Sequence, residues 1–374
     1  MTNTYVDIHV IQTVPPSNIN RDDTGSPKTA IFGGVRRARV SSQAWKRAIR
    51  KDFVQFLDSS ELGERSRNLV YRIADRVREL APEITEEDAL KRAANALKSV
   101  GIKTKVNKVS VGGEEKEDRV QTEYLLFLSR PQIDAVATLI TENLDAAPAK
   151  KDAKKALTEG VSIDVALFGR MIADAPDLNC DACCQVAHAL SVNAVDNEFD
   201  YFTAVDDNGA EDNAGAGMIG TVEFNSSTLY RYATVNATEL TRVLGSPEAS
   251  RRAVEAFIRA FVTSMPTGKQ NTFANRTLPE AVLVTIRDSQ PINLVSAFEN
   301  PISDKQDRPR EAVRRMLALN KQYEDAYGVS AVLTEAAGVG TAVDEFNSSS
   351  VNVTGFDELT THAGQCVADR CKDL

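Results

Sequence analysis

The segment from Arg36 to Lys51 constrains the fold of this chain more than any other, because its hydrophobic period changes along its length. Arg36–Val40 alternates as a strand does, and from Gln43 the apolar residues recur at helical spacing. Ser41 and Ser42, at the junction, are typical residues for the start of a helix. The segment carries seven Lys or Arg residues and no Asp or Glu. It therefore predicts a strand that leads into an amphipathic helix with a cationic face.

A basic strand-to-helix junction of this kind is suited to phosphate. Unpaired backbone N–H groups at a helix start and the hydroxyls of Ser41 or Ser42 can donate to phosphate oxygens, while Lys46 and Arg50 neutralise charge one turn later. Gln43 is placed to read a base edge or a ribose hydroxyl. The alternative is a solvated basic face, which is common on helices. The absence of any acidic residue in the segment favours binding.

Composition limits where a nucleic acid could bind. The chain has 374 residues and a formal net charge of -9, so a general attraction to phosphate is excluded and any such site must be local. With 42% hydrophobic residues, no long apolar run and no secretory leader, we expect a soluble cytoplasmic protein with no membrane contact. Five cysteines, an odd number, fit reduced thiols.

Mixed strands and helices are predicted along the rest of the chain. Tyr5–Val14 alternates as a half-buried strand does, with Asp7 and His9 on the polar parity. Residues 59–155 form a helical insertion by composition, after which Ile163–Phe168 is predicted as a strand and Asp181–Leu190 as a helix. The later elements are strands at Thr221–Phe224, Thr228–Val235 and Ala281–Ile286, and helices at Pro247–Ser264 and Arg310–Tyr327.

A long acidic hairpin or loop is predicted between Val195 and Gly220, which holds seven Asp or Glu residues and no Lys or Arg. Tyr201 and Phe202 are aromatic residues within it. They could stack on bases or pack at the root of the hairpin. Gly215–Gly220 matches a dinucleotide-binding pattern, but the strand before it and the helix after it that such a motif needs are missing. The glycines are better explained as bends at the tip.

Two other clusters contain residues that could serve catalysis or bind a metal. The adjacent carboxylates of Asp22 and Asp23 could hold a metal ion for phosphodiester cleavage, although Asp and Asn between strands more often form turns. Cys180, Cys183 and Cys184 begin with a zinc-like spacing, but no second pair follows at the distance of a zinc finger. We therefore expect no metal, no cofactor and no catalytic residue.

Eight segments follow one another in an order typical of a known family. They are Asn20–Asp23, Ala30–Gly34, Arg36–Gln43, Lys46–Ala48, Asp164–Met171, Tyr201–Asp207, Tyr230–Ala233 and Lys269–Thr272. Together they resemble the CasC backbone subunit of type I-E Cascade, a CRISPR surveillance complex. The resemblance covers most of the chain and is weakest in the helical insertion.

The resemblance implies an α+β fold in the shape of a hand. Its parts are a palm with an RNA-recognition-motif-like (ferredoxin-like) fold, a helical fingers insertion and a protruding thumb hairpin. On this sequence the palm covers residues 1–58, 160–194 and 223–374, the fingers cover residues 59–159, and the thumb covers residues 195–222.

The resemblance also implies which residues hold the guide RNA. Phosphate contacts fall on the palm, at Arg21, Lys28, Ser41, Gln43, Lys46, Arg47 and Arg50, and Lys269 and Gln270 are further RNA-binding candidates. Contacts beside a displaced base fall on Met171 and on Tyr201, Phe202 and Thr203, with Tyr201 in a place where the family often has Trp. A looser likeness makes Lys150, Lys151, Lys154 and Lys155 candidates for touching duplex DNA, against the simpler interpretation of a solvated charge run.

The function implied is that of a non-catalytic scaffold in antiviral defence. Copies of the chain would polymerise as a helical filament along crRNA, in a ribonucleoprotein with other Cascade subunits, and would present the guide to a target DNA strand. The alternatives are a metal-dependent ribonuclease that uses Asp22 and Asp23, and a structural filament protein whose basic helix docks on the acidic hairpin of a neighbouring copy.

Overall fold

The computed structural model describes residues 3–110, 116–144, 146–204, 218–303 and 305–374. The predicted acidic tip of the hairpin and the first half of the glycine motif, within residues 205–217, lie outside the described residues.

The described residues form fourteen strands and twelve α-helices in mixed order. The strands are β1 (Tyr5–Ser17), β2 (Thr29–Phe32), β3 (Val35–Val40), β4 (Gly63–Ser66), β5 (Thr104–Ser110), β6 (Lys116–Thr122), β7 (Leu126–Ser129), β8 (Cys184–Val186), β9 (Ala189–Ser191), β10 (Glu198–Ala204), β11 (Met218–Asn236), β12 (Ala281–Arg287), β13 (Leu333–Gly338) and β14 (Asn352–Val353). The helices are α1 (Ser42–Asp52), α2 (Leu69–Leu80), α3 (Glu86–Ser99), α4 (Arg130–Glu142), α5 (Lys150–Thr158), α6 (Ile163–Phe168), α7 (Ala237–Leu244), α8 (Pro247–Thr263), α9 (Gln270–Phe273), α10 (Arg308–Tyr327), α11 (Gly340–Asn347) and α12 (Phe356–Arg370). No helix in these ranges is long and apolar enough to cross a membrane.

The chain divides into two compact units, of which the first comprises Met1–Asp52, Gln185–Thr238 and Val254–Asp373. This unit is built on a ten-stranded sheet with the order β14-β13-β12-β1-β11-β9-β3-β2, and β8 and β10 also pair with β11. The central strand β1 pairs antiparallel with both β11 and β12, whereas β13 and β14 are parallel. The predicted α+β class is confirmed.

Strand β1 is buried on both of its faces, so the prediction that it is half-buried was wrong. Asp7 and His9, on the polar parity, are 0% and 1% exposed. They are buried as a hydrogen-bonded group, in which Tyr232 donates to Asp7 over 2.8 Å and the Tyr230 hydroxyl lies 2.9 Å from His9 Nδ1. Buried polar groups are tolerated when they are paired in this way, and alternation alone does not reveal it.

The second unit comprises Phe53–Cys184 and Glu239–Ala253, with Leu374. Its core is formed by apolar residues of α2, α3, α4 and α5, in agreement with the helical composition of this region. Two small antiparallel sheets, β4 with β7 and β5 with β6, accompany the helices.

Two element predictions in the middle of the chain were wrong. Ile163–Phe168 is the helix α6 and not a strand, and the predicted helix Asp181–Leu190 instead contains the short strand β8 and the start of β9. The start of α6 is held by the Asp164 carboxylate, which accepts from the Val165 N–H and the Ser162 hydroxyl, and its end by Gly169 at φ 76°. Short apolar runs fit either type of element, and tertiary pairing decides between them.

Candidate nucleic-acid interface

Helix α1 presents the predicted basic face on the first unit. Trp45 and Ile49 are buried beneath it, while Gln43, Arg47 and Lys51 are exposed and Lys46 and Arg50 are half-buried. Ser41, only 6% exposed, precedes the helix, and its hydroxyl accepts from the Ala44 N–H over 3.3 Å. The predicted strand-to-helix junction is therefore confirmed, with Ser41 as the residue that caps it.

The turn between β1 and β2 lies against this junction. The Asn20 side chain accepts from the Ser41 N–H over 2.8 Å, and the Asn20 carbonyl accepts from the Lys28 N–H over 2.9 Å. The Lys28 carbonyl in turn accepts from the Arg39 N–H over 2.9 Å. These backbone contacts bring the half-buried Lys28 beside the end of β3 and the start of α1.

Arg21 lies at the rim of an open cavity of about 520 Å³, which is lined by Ile19–Gly25 and Gly268. Gly268 packs closely against the backbone of the turn that follows β1, since a Cβ at Gly268 would lie 2.7 Å from the carbonyl carbon of Ile19. This contact brings the chain segment that leads into Lys269 and Gln270 against the turn that carries Arg21. Backbone packing thus gathers three separate parts of the sequence at one place.

The loop that carries Lys269 and Gln270 is conformationally strained. Lys269 has φ 50° and Ala274 has φ 47°, and they are the non-glycine residues with positive φ among those described. They bracket α9, whose Phe273 ring lies 5.7 Å from that of Phe224. Strain of about 1–3 kcal/mol per residue persists only where surrounding contacts hold it, and it concentrates at functional sites.

The Asp22 carboxylate is used within its own turn. It accepts from the Thr24 N–H, the Thr24 hydroxyl and the Ser26 N–H at 3.0, 2.7 and 3.0 Å. The Thr24 hydroxyl is the main cause of a pKa for Asp22 below its ordinary value, and the backbone donors add to it. Nothing in the described ranges gathers three or more His, Cys, Asp or Glu in a metal-binding group.

The hairpin of β10 and β11 presents different side chains on its two faces. Tyr201 pairs with Thr221, Phe202 with Gly220 and Thr203 with Ile219, and neighbouring residues of a strand point to opposite faces. Tyr201 is 64% exposed. Phe202 is 37% exposed and its ring covers Gly220, where a Cβ would lie 2.8 Å from a ring carbon.

The root of this hairpin is fastened to the turn that carries Asp22. Glu223 accepts from Ser26 over 2.8 Å through one carboxylate oxygen and from Asn197 over 3.0 Å through the other. The Asn18 amide donates to the carbonyls of Gly25 and Glu223, both over 2.9 Å. The root of the hairpin, from which β10 leads to Tyr201 and Phe202, is thereby joined to the turn.

Met171 and the lysine cluster belong to the second unit. Met171 is 80% exposed, next to a small cavity of about 20 Å³ that Tyr124 and Leu125 also line. On α5, Lys150, Lys151 and Lys155 are exposed, and Lys154 is paired with Asp177 over 2.8 Å.

Two residues have positions that the sequence did not predict. Arg37, counted in the basic segment, is 0% exposed, and its guanidinium donates to four carbonyls, those of Phe32, Ser191, Phe298 and Glu299. His188, which the sequence did not single out, accepts at Nδ1 from the Ser42 N–H over 3.1 Å. A lone histidine in a short strand connection carries no periodic signal, so only the three-dimensional pairing of β3 with β9 brings it to α1.

Comparison with known proteins identifies the family of this chain. Residues 6–362 match the model of the Cas_CT1975 family, CT1975-like protein. A chain of a solved "CRISPR RNA-guided surveillance complex, pre-nicking" is 33% identical, with a TM-score of 0.83, and the match covers 97% of this chain and 100% of that one.

A chain of a second "CRISPR RNA-guided surveillance complex" is 28% identical, with a TM-score of 0.72 over 97% of this chain and 99% of that one. No curated protein matches. The family match spans nearly the whole chain and confirms the resemblance seen in the sequence: this protein belongs to the CT1975-like family, that of the CasC-type Cascade subunits.

Proposed function

We propose that this protein is the crRNA-binding backbone subunit of a Cascade surveillance complex. The observation that carries the proposal is the convergence of Arg21, Lys28, the start of α1 and the Lys269 loop on one side of the first unit. The similarity to chains of RNA-guided surveillance complexes supports it. Basic side chains joined by backbone contacts suit a ribose-phosphate chain of any sequence.

In this proposal the palm, residues 1–58, 160–194 and 223–374, has the RNA-recognition-motif-like fold and grips the guide backbone. The fingers are residues 59–159 and the thumb is residues 195–222. Ser41, Gln43, Lys46, Arg47 and Arg50 join the residues named above in holding phosphates. Tyr201, Phe202, Thr203 and Met171 flank a displaced base, and Lys150, Lys151, Lys154 and Lys155 approach duplex DNA.

The role proposed is a scaffold in the cytoplasm and not an enzyme. Several copies polymerise along one guide with other Cascade subunits and hold it for pairing with a target DNA strand. The turn around Asp22 gives the ribonuclease alternative no support, because its carboxylate is already engaged by three donors.

The double substitution Lys46→Ala, Arg50→Ala tests the proposal. Each lost phosphate contact removes about one counterion from the salt dependence, so we expect guide RNA affinity at physiological salt to fall roughly tenfold or more and the salt slope to flatten. Affinity is measured by fluorescence anisotropy on unrelated RNA sequences, which should be affected alike.

The matched control is Lys91→Ala, Lys98→Ala, which removes two exposed positive charges from α3 in the second unit. It should bind RNA as the unaltered protein does. Equal affinity of the α1 variant and the unaltered protein would reject the proposal.

A further inference from the structure

His188 is a titratable side chain within the candidate interface that the proposed phosphate contacts do not include. It is exposed and lies in the connection from β8 to β9. Its Nδ1 accepts from the Ser42 N–H over 3.1 Å, so in this arrangement the imidazole is neutral and its proton is on Nε2. Beside it, Arg39 of β3 and Lys28 of the preceding turn are close enough to act on its charge.

The position of His188 puts it in competition with a phosphate. The Ser42 N–H is one of the donors at the start of α1 that a phosphate would use, and in the free protein it is occupied by the imidazole. Partial burial, and then the positive charges of Arg39 and Lys28, hold the pKa of His188 below its ordinary value. A neutral imidazole is therefore the stable form only while no anion is nearby.

We propose that His188 is a further guide-contacting residue, which releases the Ser42 N–H to a backbone phosphate as Nδ1 takes up a proton from solvent. The protonated imidazole and the freed Ser42 N–H then both donate to the phosphate, beside Lys28 and Arg39. This inference rests on the proposed function, since it requires a phosphate at the start of α1. Its consequence is that guide binding is coupled to uptake of one proton.

The other titratable groups of the first unit allow a matched design. His9 is buried and its pKa is about 3, so it does not titrate near neutral pH. His362 is half-exposed on α12, where its Nδ1 lies 3.0 Å from Glu335. The buried Asp7 has a pKa of about 6 and is shared by all variants with an unaltered β1. The comparison is therefore between His188→Asn, which keeps an acceptor for Ser42 but cannot titrate, and His362→Asn as the control.

The experiment measures the affinity of the full chain for a single-stranded RNA between about pH 8 and pH 6 at constant salt. We expect the affinity of the unaltered protein and of His362→Asn to rise roughly fivefold to tenfold as the pH falls, and that of His188→Asn to stay nearly constant. An unchanged pH profile in His188→Asn would overturn the inference while leaving the proposed function intact. If the unaltered protein bound no RNA at any pH, both would be overturned.

Discussion

The Arg231 guanidinium lies over the Trp45 ring, with its central carbon 3.8 Å from the ring centroid. Both residues are 1% exposed. Arg231 also donates to Gln12 Oε1 over 2.5 Å and to the Phe261 carbonyl, so β11 and β1 are tied to α8 and to α1. In the part of the chain that the structure describes, no carboxylate forms an ion pair with Arg231. Burial lowers its pKa to about 9, which still leaves it charged at neutral pH.

Replacing this arginine should loosen the basic helix. We expect Arg231→Met to lower the free energy of unfolding by about 2–4 kcal/mol, since it removes the stacking on Trp45 and leaves buried acceptors unpaired. RNA affinity should fall as well, because α1 loses its anchor. Urea unfolding and RNA titration of the folded protein measure the two effects.

Arg242→Met serves as the control for Arg231→Met, because Arg242 is exposed and paired with Glu239 on the same helix. It should change unfolding by less than about 0.5 kcal/mol. An unfolding midpoint in Arg231→Met equal to that of the control would contradict the anchoring role.

The buried pair Asp7 and His9 should give opposing pH dependences of stability. The pKa of Asp7 is raised to about 6, mainly by burial, so the folded state binds its proton more tightly and acidification below about pH 6 stabilises the fold. The pKa of His9 is lowered to about 3, also mainly by burial, so the unfolded state takes up that proton first and acidification below about pH 6.5 destabilises the fold. Between about pH 4 and 6 the two nearly cancel.

Asp7→Asn should uncover the contribution of His9. Each group changes the free energy of unfolding by about 1.4 kcal/mol per pH unit between its pKa in the folded state and its pKa in the unfolded state. Between about pH 6 and pH 4.5 the variant should therefore lose about 2 kcal/mol more than the unaltered protein. Urea unfolding at both pH values tests this, and a parallel pH dependence in the two proteins would rule it out. His9→Gln should show the opposite change.

Tyr201 and Phe202 should affect the stacking of guide bases without affecting the grip on the backbone. We expect Tyr201→Ala or Phe202→Ala to remove about 1–3 kcal/mol of base stacking while the salt slope of RNA binding stays the same. The readout is the fluorescence of a base analogue placed along the guide in assembled complexes.

A second way to disturb the hairpin is Gly220→Val, which should push the Phe202 ring away from its place over the glycine. It should resemble Phe202→Ala in the fluorescence assay, with Thr221→Val as the neighbouring control. Unaltered base fluorescence in both Phe202→Ala and Gly220→Val would show that the ring does not contact a base.

Asp22→Ala should make the turn less stable, and it should not change any RNA cleavage activity. Loss of the three hydrogen bonds from Thr24 and Ser26 should lower the stability of the turn and reduce RNA affinity through the displaced Arg21. Asp23→Ala, at an exposed neighbour, should have little effect. Incubation of the assembled complex with complementary RNA and magnesium provides the check, and regular cleavage that disappears in Asp22→Ala would favour the ribonuclease instead.

Periodicity and local chemistry were enough to predict the elements that position the interface. The change of period at Ser41 predicted β3 and α1, and the alternation after Gly220 predicted two strands, Thr221–Phe224 and Thr228–Val235, which are one continuous strand, β11, in the structure. The side chains within these elements were harder to assign, because a charge count does not tell which arginine faces solvent. Arg37 looked like its neighbours in sequence, yet it lies in the interior and holds four carbonyls.

The remaining features depend on contacts between distant parts of the chain. The packing of Gly268 against Ile19 and the bond between His188 and Ser42 each join residues far apart in sequence. Neither contact leaves a pattern in the nearby sequence. The first requires only that Gly268 has no side chain, and the second requires only one ring nitrogen of His188. The burial of Asp7 and His9 likewise follows from tertiary packing on both faces of β1, which alternation along one strand does not show.

The hairpin of β10 and β11, with aromatic side chains on both of its faces, has a consequence for the spacing of guide contacts along a filament. Tyr201 and Phe202 leave β10 in opposite directions, so in the proposed complex they would lie beside the displaced base on two different faces of the hairpin. The interval between displaced bases would then be set by the repeat of one protein copy on the next. Spacing set in this way does not depend on the base sequence of the guide, so it would divide any guide into segments of equal length.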